Sequence, residues 1–398
     1  MKSYKKILPI LFITSLFAIN DIQRMTNDYK KGLLTLDEFV YFQAARILNA
    51  EELPAHYKTN EPIKCATSVL KYIRENSNNI SSYTKQKLID LGFTFKYGSS
   101  SARYSTASNG RPTNLDQSLD LGIFKFHYTL DGEDAVADMQ YAQTMAEIFV
   151  DVYNKQNGTS SDQMGFTRPP DDGFYSSIPD ENGGDDQYDV YIYNLEAGIY
   201  GWVATEWNRG DNPYSISTTE LVSTTSFMAM RNNYTDFGPQ TEIESIKVTA
   251  AHEYFHAVQN GYNLYSSAWL MEATAAWIED EIYDDVNDNY QYLGNWFKEP
   301  HIALNYNHHD DDGSAIYYGD NIFEENKNHW YGSWIFFRYI SEHMVPSNGN
   351  GYETIRNILE KDIFLSNDDN DKSIEAINEG VKAVDPSYSF EAASSAIS

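Results

Sequence analysis

The chain has 398 residues, enough for two or three domains with a substantial core, and carries 58 acidic against 29 basic side chains for a formal charge of -29. That excess argues against binding to nucleic acid or to an anionic membrane surface, because both are polyanions. A 41% hydrophobic content with 31 tyrosines excludes a disordered chain, and a single cysteine, Cys65, excludes an intramolecular disulfide.

Lys2, Lys5 and Lys6 precede an apolar run at 7–19 that gives way to polar Asn20 and Asp21. The run is too short to span a bilayer and its basic flank lies at the start. Residues 1–20 therefore read as a secretory signal peptide and the protein as secreted, without stable membrane insertion. Residues 21–96 read as a small helical N-terminal region. Thr35 and Glu38 form a capping box ahead of a helix ended by Pro54, and short helices are expected at 68–75 and 82–91, the second stopped by Gly92. In a secreted hydrolase such a region is either a removable propeptide or an accessory subdomain that stays attached. Cys65 within it reads as a structural or free thiol; the alternative is a thiolate that ligates a catalytic metal and imposes latency. Residues 97–118 are rich in Ser, Gly, Asn and Thr, include Arg103 and Arg111, and read as a linker open to proteolytic processing.

Residues 119–398 read as one mixed domain. Strands are expected at 123–128, 188–193, 200–204 and 224–231, with a long helix at 134–154, an order that implies an α+β or α/β layer. His127 sits in the first strand pattern as a packed or surface histidine. Acidic groups at Asp185 and Asp186, at Asp284 and Asp285, and at 368–371 read as solvated surface, as do His301, His308, His309 and the run 310–312. Ca²⁺ chelation is the alternative for these, although none has the spacing of an EF-hand loop. Further helices are expected at 328–343, 352–360 and 373–381. The closing FEAASSAIS stops in a helical pattern without a cap, so the chain is expected to continue.

The chemistry concentrates in HEYFH at 252–256 and WLMEATAAWIED at 269–280. Thr241 and Glu244 read as a capping box, Gly261 as a C-cap, and Val248, Ala251, Phe255 and Val258 as the apolar stripe of a helix between them. His252 and His256 lie one turn apart on that helix and can offer two imidazole nitrogens to one Zn²⁺, with Glu253 beside them as general base. A short Gly- and Asn-containing connection at 260–266 and Ser267 as N-cap predict a second, antiparallel helix from 268 to about 284. Glu272 near its first turn can return to the histidine pair as third ligand, leaving a fourth position for water, as in a catalytic site. Two unrelated histidines on one helix remain the plain alternative.

These two segments together resemble the gluzincin metallopeptidases, whose zinc is held by HExxH and a downstream Glu. The second segment is similar to the pattern W-L-x-E-x-x-A-x-(Y/W) through Trp269, Leu270, Glu272, Ala275 and Trp277, with Ala273 in place of the usual Gly. KVTAAHEYFHAVQNGY, LPAHY, YDVYIY and YGSWIFFRYI also resemble a family of secreted bacterial metalloproteases, over residues 33 to 340. The resemblance implies a zincin-like catalytic domain: a mixed sheet with an edge strand over the cleft and two active-site helices. It implies His252, His256 and Glu272 as metal ligands, Glu253 as base, and Glu279, two turns after Glu272, as an orienting partner of a histidine. In the aminopeptidase branch an oxyanion-binding tyrosine stands three residues before a glycine; here that position is His329, before Gly332, and Tyr331 is the other candidate. The implied activity is zinc-dependent hydrolysis of protein or peptide substrates. The reading from another class is a secreted non-catalytic metal-binding or adhesion protein.

Overall fold

The computed structural model describes residues 21–59, 63–97, 105–173, 182–216, 218–235, 238–298, 302–305, 329–366 and 371–397. The expected signal peptide, Arg103, His301, His308, His309, the acidic run 310–312, Asp368 and Asp369 lie outside the described residues.

Helices α1 (Asp21–Lys30) and α2 (Leu36–Leu48) come first, then strand β1 (Ile63–Cys65), α3 (Thr67–Glu75) and α4 (Ser82–Asp90). Strands β2 (Phe93–Tyr97) and β3 (Ser105–Asn109) pair antiparallel as a separate small sheet. Strands β4 (Gln117–Leu121) and β5 (Phe124–Tyr128) lead into α5 (Met139–Asn157), followed by β6 (Tyr188–Tyr193), β7 (Ile199–Gly210) and β8 (Ser223–Arg231). Helices α6 (Glu242–Tyr262) and α7 (Ala268–Ile282) carry the two chemical segments. They are followed by α8 (Leu293–Lys298), α9 (His329–Gly332), α10 (Trp334–His343), α11 (Gly351–Leu365), α12 (Ser373–Val384) and α13 (Phe390–Ile397).

The main sheet is six-stranded and mixed, in the order β1-β7-β8-β6-β5-β4. β5, β6 and β8 run parallel, β7 and β4 run antiparallel to their inner neighbours, and β1 adds parallel to β7 at the edge. Because side chains alternate across a strand, the sheet has two apolar faces. Phe126, Val190, Val203 and Met228 face α5 and α6, where Phe149, Ala250 and Tyr254 meet them. Tyr191, Trp202, Phe227 and Ala229 face the opposite way, onto Val40, Ala44, Val69 and Leu70 of α2 and α3. The protein is thus an α+β fold with helices on both faces of its sheet.

The N-terminal region expected to be helical also contributes β1 to the main sheet, and its helices cover one face of that sheet. A three-residue strand leaves almost no periodic signal, which is why the sequence pattern misses it. The stretch expected as a linker holds β3 and begins β4, and its Arg111 is buried rather than presented to a protease. The Arg111 guanidinium donates to Glu206 at 2.9 and 2.6 Å, to Asp172 at 2.7 Å, and to Asp189. His127, at 2.6 Å from the same Asp189, belongs to this cluster. Burial pushes the Asp172 carboxyl up to about 8 against the pull of Arg111. Gly261 is not a cap: α6 runs through it to Tyr262 and ends at Asn263. A Cβ there would meet Pro169 Cα at 3.2 Å, so glycine serves close packing instead.

Removing the cation from that cluster strands three buried carboxylates. Arg111→Ala should lower unfolding free energy by about 3–5 kcal/mol, read from the urea midpoint at unchanged m-value.

Candidate metal centre

Helix α6 starts at the predicted cap. Thr241 N–H donates to Glu244 at 2.8 Å and Glu244 N–H returns to Thr241 Oγ1 at 3.3 Å, closing the capping box. From there the helix runs beneath the sheet. Its Glu253 approaches β7 at Gly201, where a Cβ would meet Glu253 Cγ at 3.0 Å and Ala229 O at 3.1 Å. Helix α7 begins after Ser267 as expected, although the Ser267 side chain makes no capping bond, and it returns antiparallel to bring Glu272 to the histidines.

The separations are those of a ligand set. His252 Nε2 and His256 Nε2 lie 3.0 Å apart, and Glu272 Oε2 stands 3.2 Å from the first and 3.5 Å from the second. Tetrahedral zinc with bonds of about 2.05 Å separates neighbouring donors by about 3.3 Å. Among the described residues these three and Cys65 form a group whose potential ligand atoms all lie within 4.8 Å of one another. This buried Cys65–His252–His256–Glu272 cluster could hold a metal ion.

Hydrogen bonding around the rings decides what the ring nitrogens can do. Gln259 Nε2 donates to Met271 O at 2.9 Å and to Thr274 Oγ1 at 2.7 Å, so its Oε1, 2.7 Å from His256 Nδ1, must accept. Glu279 Oε2 takes the Lys64 ammonium at 2.5 Å while its Oε1 accepts from His252 Nδ1 at 2.7 Å. Both imidazoles therefore donate outward from Nδ1, and both Nε2 lone pairs point inward at the Glu272 carboxylate. Three acceptors facing one another need a cation between them. In the metal-free protein a proton serves: burial opposes the charge on His252, but Glu272 and Glu279 outweigh it and hold the ring up at about 9. Burial likewise opposes the Glu272 charge, and the histidines hold its carboxyl far below the usual range.

Glu253 lies beside the ligands. Its Oε2 accepts from Thr67 Oγ1 at 3.3 Å and from the Cys65 thiol at 3.4 Å, while its Oε1 is buried without a hydrogen-bond partner. Burial pushes its carboxyl above the ordinary range against the pull of His252 and His256. Burial and the nearby Glu253 also push the Cys65 thiol well up. Glu253 and the four cluster residues are each no more than 2% exposed.

The predicted residues are thus placed unevenly. His252, Glu253, His256, Glu272 and Glu279 come together as read from the sequence. The Tyr331 ring lies over His252, with centroids 6.0 Å apart and planes at 28°, and its phenol is pushed well up by burial and by Glu272. His329 is outside the cluster: its ring stacks on Trp296 at 6.4 Å, and burial lowers its pKa to about 4. Sequence reasoning missed Gln259, one turn beyond His256 and visible in principle as the next residue on that face. It also missed Lys64 and Thr67, for which no local signal exists. Cys65, which reads from the sequence as a structural or free thiol with a metal-ligating thiolate as the alternative, lies 188 residues upstream of Glu253 yet in contact with it.

No family model matches this chain, and neither a curated protein nor a solved structure does.

The donor set fits zinc better than calcium, since thiol and imidazole ligands suit the softer ion. Gln259→Leu frees the His256 ring and should weaken zinc binding about 10–100-fold in a chelator competition. Because an entering metal must displace the His252 proton, apparent affinity should rise with pH by at least roughly tenfold per unit below about 9. The same competition repeated across that range reads the slope.

Proposed function

We propose that this protein is a secreted zinc-dependent metallopeptidase with a zincin-like fold, acting on peptide bonds of protein or peptide substrates. The observation that carries the reading is the convergence of the His252 and His256 Nε2 lone pairs on Glu272, with the unpartnered Oε1 of Glu253 alongside. A structural metal site has no use for a buried, half-satisfied carboxylate beside its ligands; a hydrolase does. The zincin-like assignment is supported by the mixed sheet, by α6 beneath β7 and β8, and by α7 returning a carboxylate to the HExxH pair. Secretion is supported by the basic start and apolar run at 7–19.

His252, His256 and Glu272 would hold the zinc, which would supply Lewis acidity toward a scissile carbonyl and a water. The protein's own residues do the rest. Glu253, its pKa raised by burial, accepts the water proton on Oε1 and returns it to the leaving amine. Glu279 and Gln259 keep both rings in the Nδ1–H tautomer, so that the inward nitrogens stay available. Tyr331, a neutral phenol stacked on His252, would donate to a developing oxyanion in this reading. His329, packed on Trp296, is not.

A second reading, a non-catalytic metal-binding protein, is favoured by the depth of the site and by a fourth protein donor, Cys65, within the cluster. Caseinolysis with and without a chelator separates the two. Glu253→Gln should keep its zinc and lose about 100- to 10,000-fold in hydrolysis, and full activity in that variant would sink the mechanism. His256→Ala should lose the metal itself, measured as zinc content after dialysis.

A further inference from the structure

The segment from Lys64 to Thr67 is built into the metal centre at every polar side chain. Lys64 reaches across to Glu279, the carboxylate that orients His252, and to Asp288. Thr67 Oγ1 accepts from Val203 N–H at 2.8 Å and donates to Glu253 at 3.3 Å. Between them, β1 pairs with β7 so that Cys65 stands opposite Gly201, and Ala66 N–H donates to Gly201 O at 3.2 Å. At Gly201 α6 packs against β7 with no room for a Cβ, which would meet Glu253 Cγ at 3.0 Å, so the Cys65 thiol opposite it is delivered over Glu253. The sulfur also accepts the Thr67 N–H at 3.3 Å, from the first turn of α3. That bond lowers the cost of a thiolate, whereas burial and Glu253 keep the metal-free sulfur a thiol, so the proton is one that the metal must displace.

We propose that Cys65 is the fourth ligand of the metal, a thiolate that closes the position a reacting water would need. The inference rests on the reading of His252, His256 and Glu272 as metal ligands, and it makes the metal-loaded protein latent. On coordination the S–H bond breaks, its electron pair forms the sulfur–metal bond, and the proton leaves to buffer; no oxidant or reductant is involved. Cys65 lies in the same chain segment as helices α2 and α3, which bury Trp202 and Phe227 of the sheet. The thiolate is therefore held by an integral part of the fold, and opening the site means moving β1 off the edge of β7 or modifying the sulfur.

The test uses the full chain loaded with zinc or cobalt. X-ray absorption at the zinc edge of the wild type should find one sulfur neighbour at about 2.3 Å, a readout that needs no variant. Cobalt-loaded wild type should show thiolate-to-cobalt charge-transfer absorption that Cys65→Ser and Cys65→Ala both lose. Loss of a direct ligand should weaken zinc binding by at least the roughly tenfold that an outer partner costs. At saturating zinc both variants should cleave casein faster than the wild type. Absence of a sulfur neighbour in the zinc-loaded wild type overturns the proposal and leaves the Glu253 mechanism standing. Equal cleavage by the wild type and both variants overturns the latency. A sulfur neighbour with every variant silent supports the thiolate ligand and overturns the peptidase reading instead.

Discussion

Each histidine of the candidate metal centre owes its orientation to a bond on its far side. His252 donates from Nδ1 to Glu279, and His256 donates from Nδ1 to Gln259, whose own amide protons are already committed to Met271 O and Thr274 Oγ1. Once both Nδ1 atoms are donors, the neutral rings can only accept at Nε2, and with Glu272 they form a pocket of three lone-pair donors sealed from solvent. Such a pocket is costly without a cation, because buried acceptors that face one another repel and lack compensating hydrogen bonds. The demand for positive charge at this point is a property of the packed protein.

The surroundings of the pocket follow from keeping those far-side bonds in place. Glu279 needs its own counter-charge, and Lys64 supplies it from the edge strand of the sheet; burial opposes the Lys64 charge, but Asp288 and Glu279 outweigh it and hold the ammonium well above its ordinary value. That requirement ties the N-terminal part of the chain to α7. It also brings Cys65 and Thr67, the next polar residues, over Glu253. Gly201 allows the approach, since a side chain at that point of β7 would press on Glu253 and on the backbone of β8. Helices α2 and α3 then cover the face of the sheet that Trp202 and Phe227 would otherwise expose. Each full burial of such a side chain is worth about 1.5–3 kcal/mol, so this covering contributes directly to folding stability.

The Arg111 cluster answers a similar problem on the same sheet. Asp189 on β6 and Glu206 on β7 are buried, and with Asp172 they place three carboxylates around one point. A single guanidinium, presented by a segment that reads as a plain linker, satisfies all three through its planar fork of donors. A chain with a formal charge of -29 has no shortage of acidic groups, and this one keeps its buried carboxylates tolerable by spending scarce basic residues on them.

Much of the centre was legible from the residues because it is built on two helices joined by a short connection. A 3.6-residue period places His252 and His256 on one face, a capping box marks where α6 begins, and a short loop forces α7 back so that Glu272 and Glu279 meet the rings. Strands of five or more residues, such as YDVYIY at β6, were also readable, as was the mixed α+β character. The sequence by itself thus determined the paired histidines, Glu253 beside them, the returning carboxylates and the helices that carry them, since each depends on spacing along a regular element. Only the tertiary structure decided that Cys65, Lys64, Thr67 and Gly201 belong to the same centre, that the Arg111 side chain is buried, and that Tyr331 rather than His329 lies over His252. The physical reason is that these placements come from strand pairing and layer packing between residues far apart in the chain. A three-residue edge strand has no period to read, and its partner is set by the fold it joins.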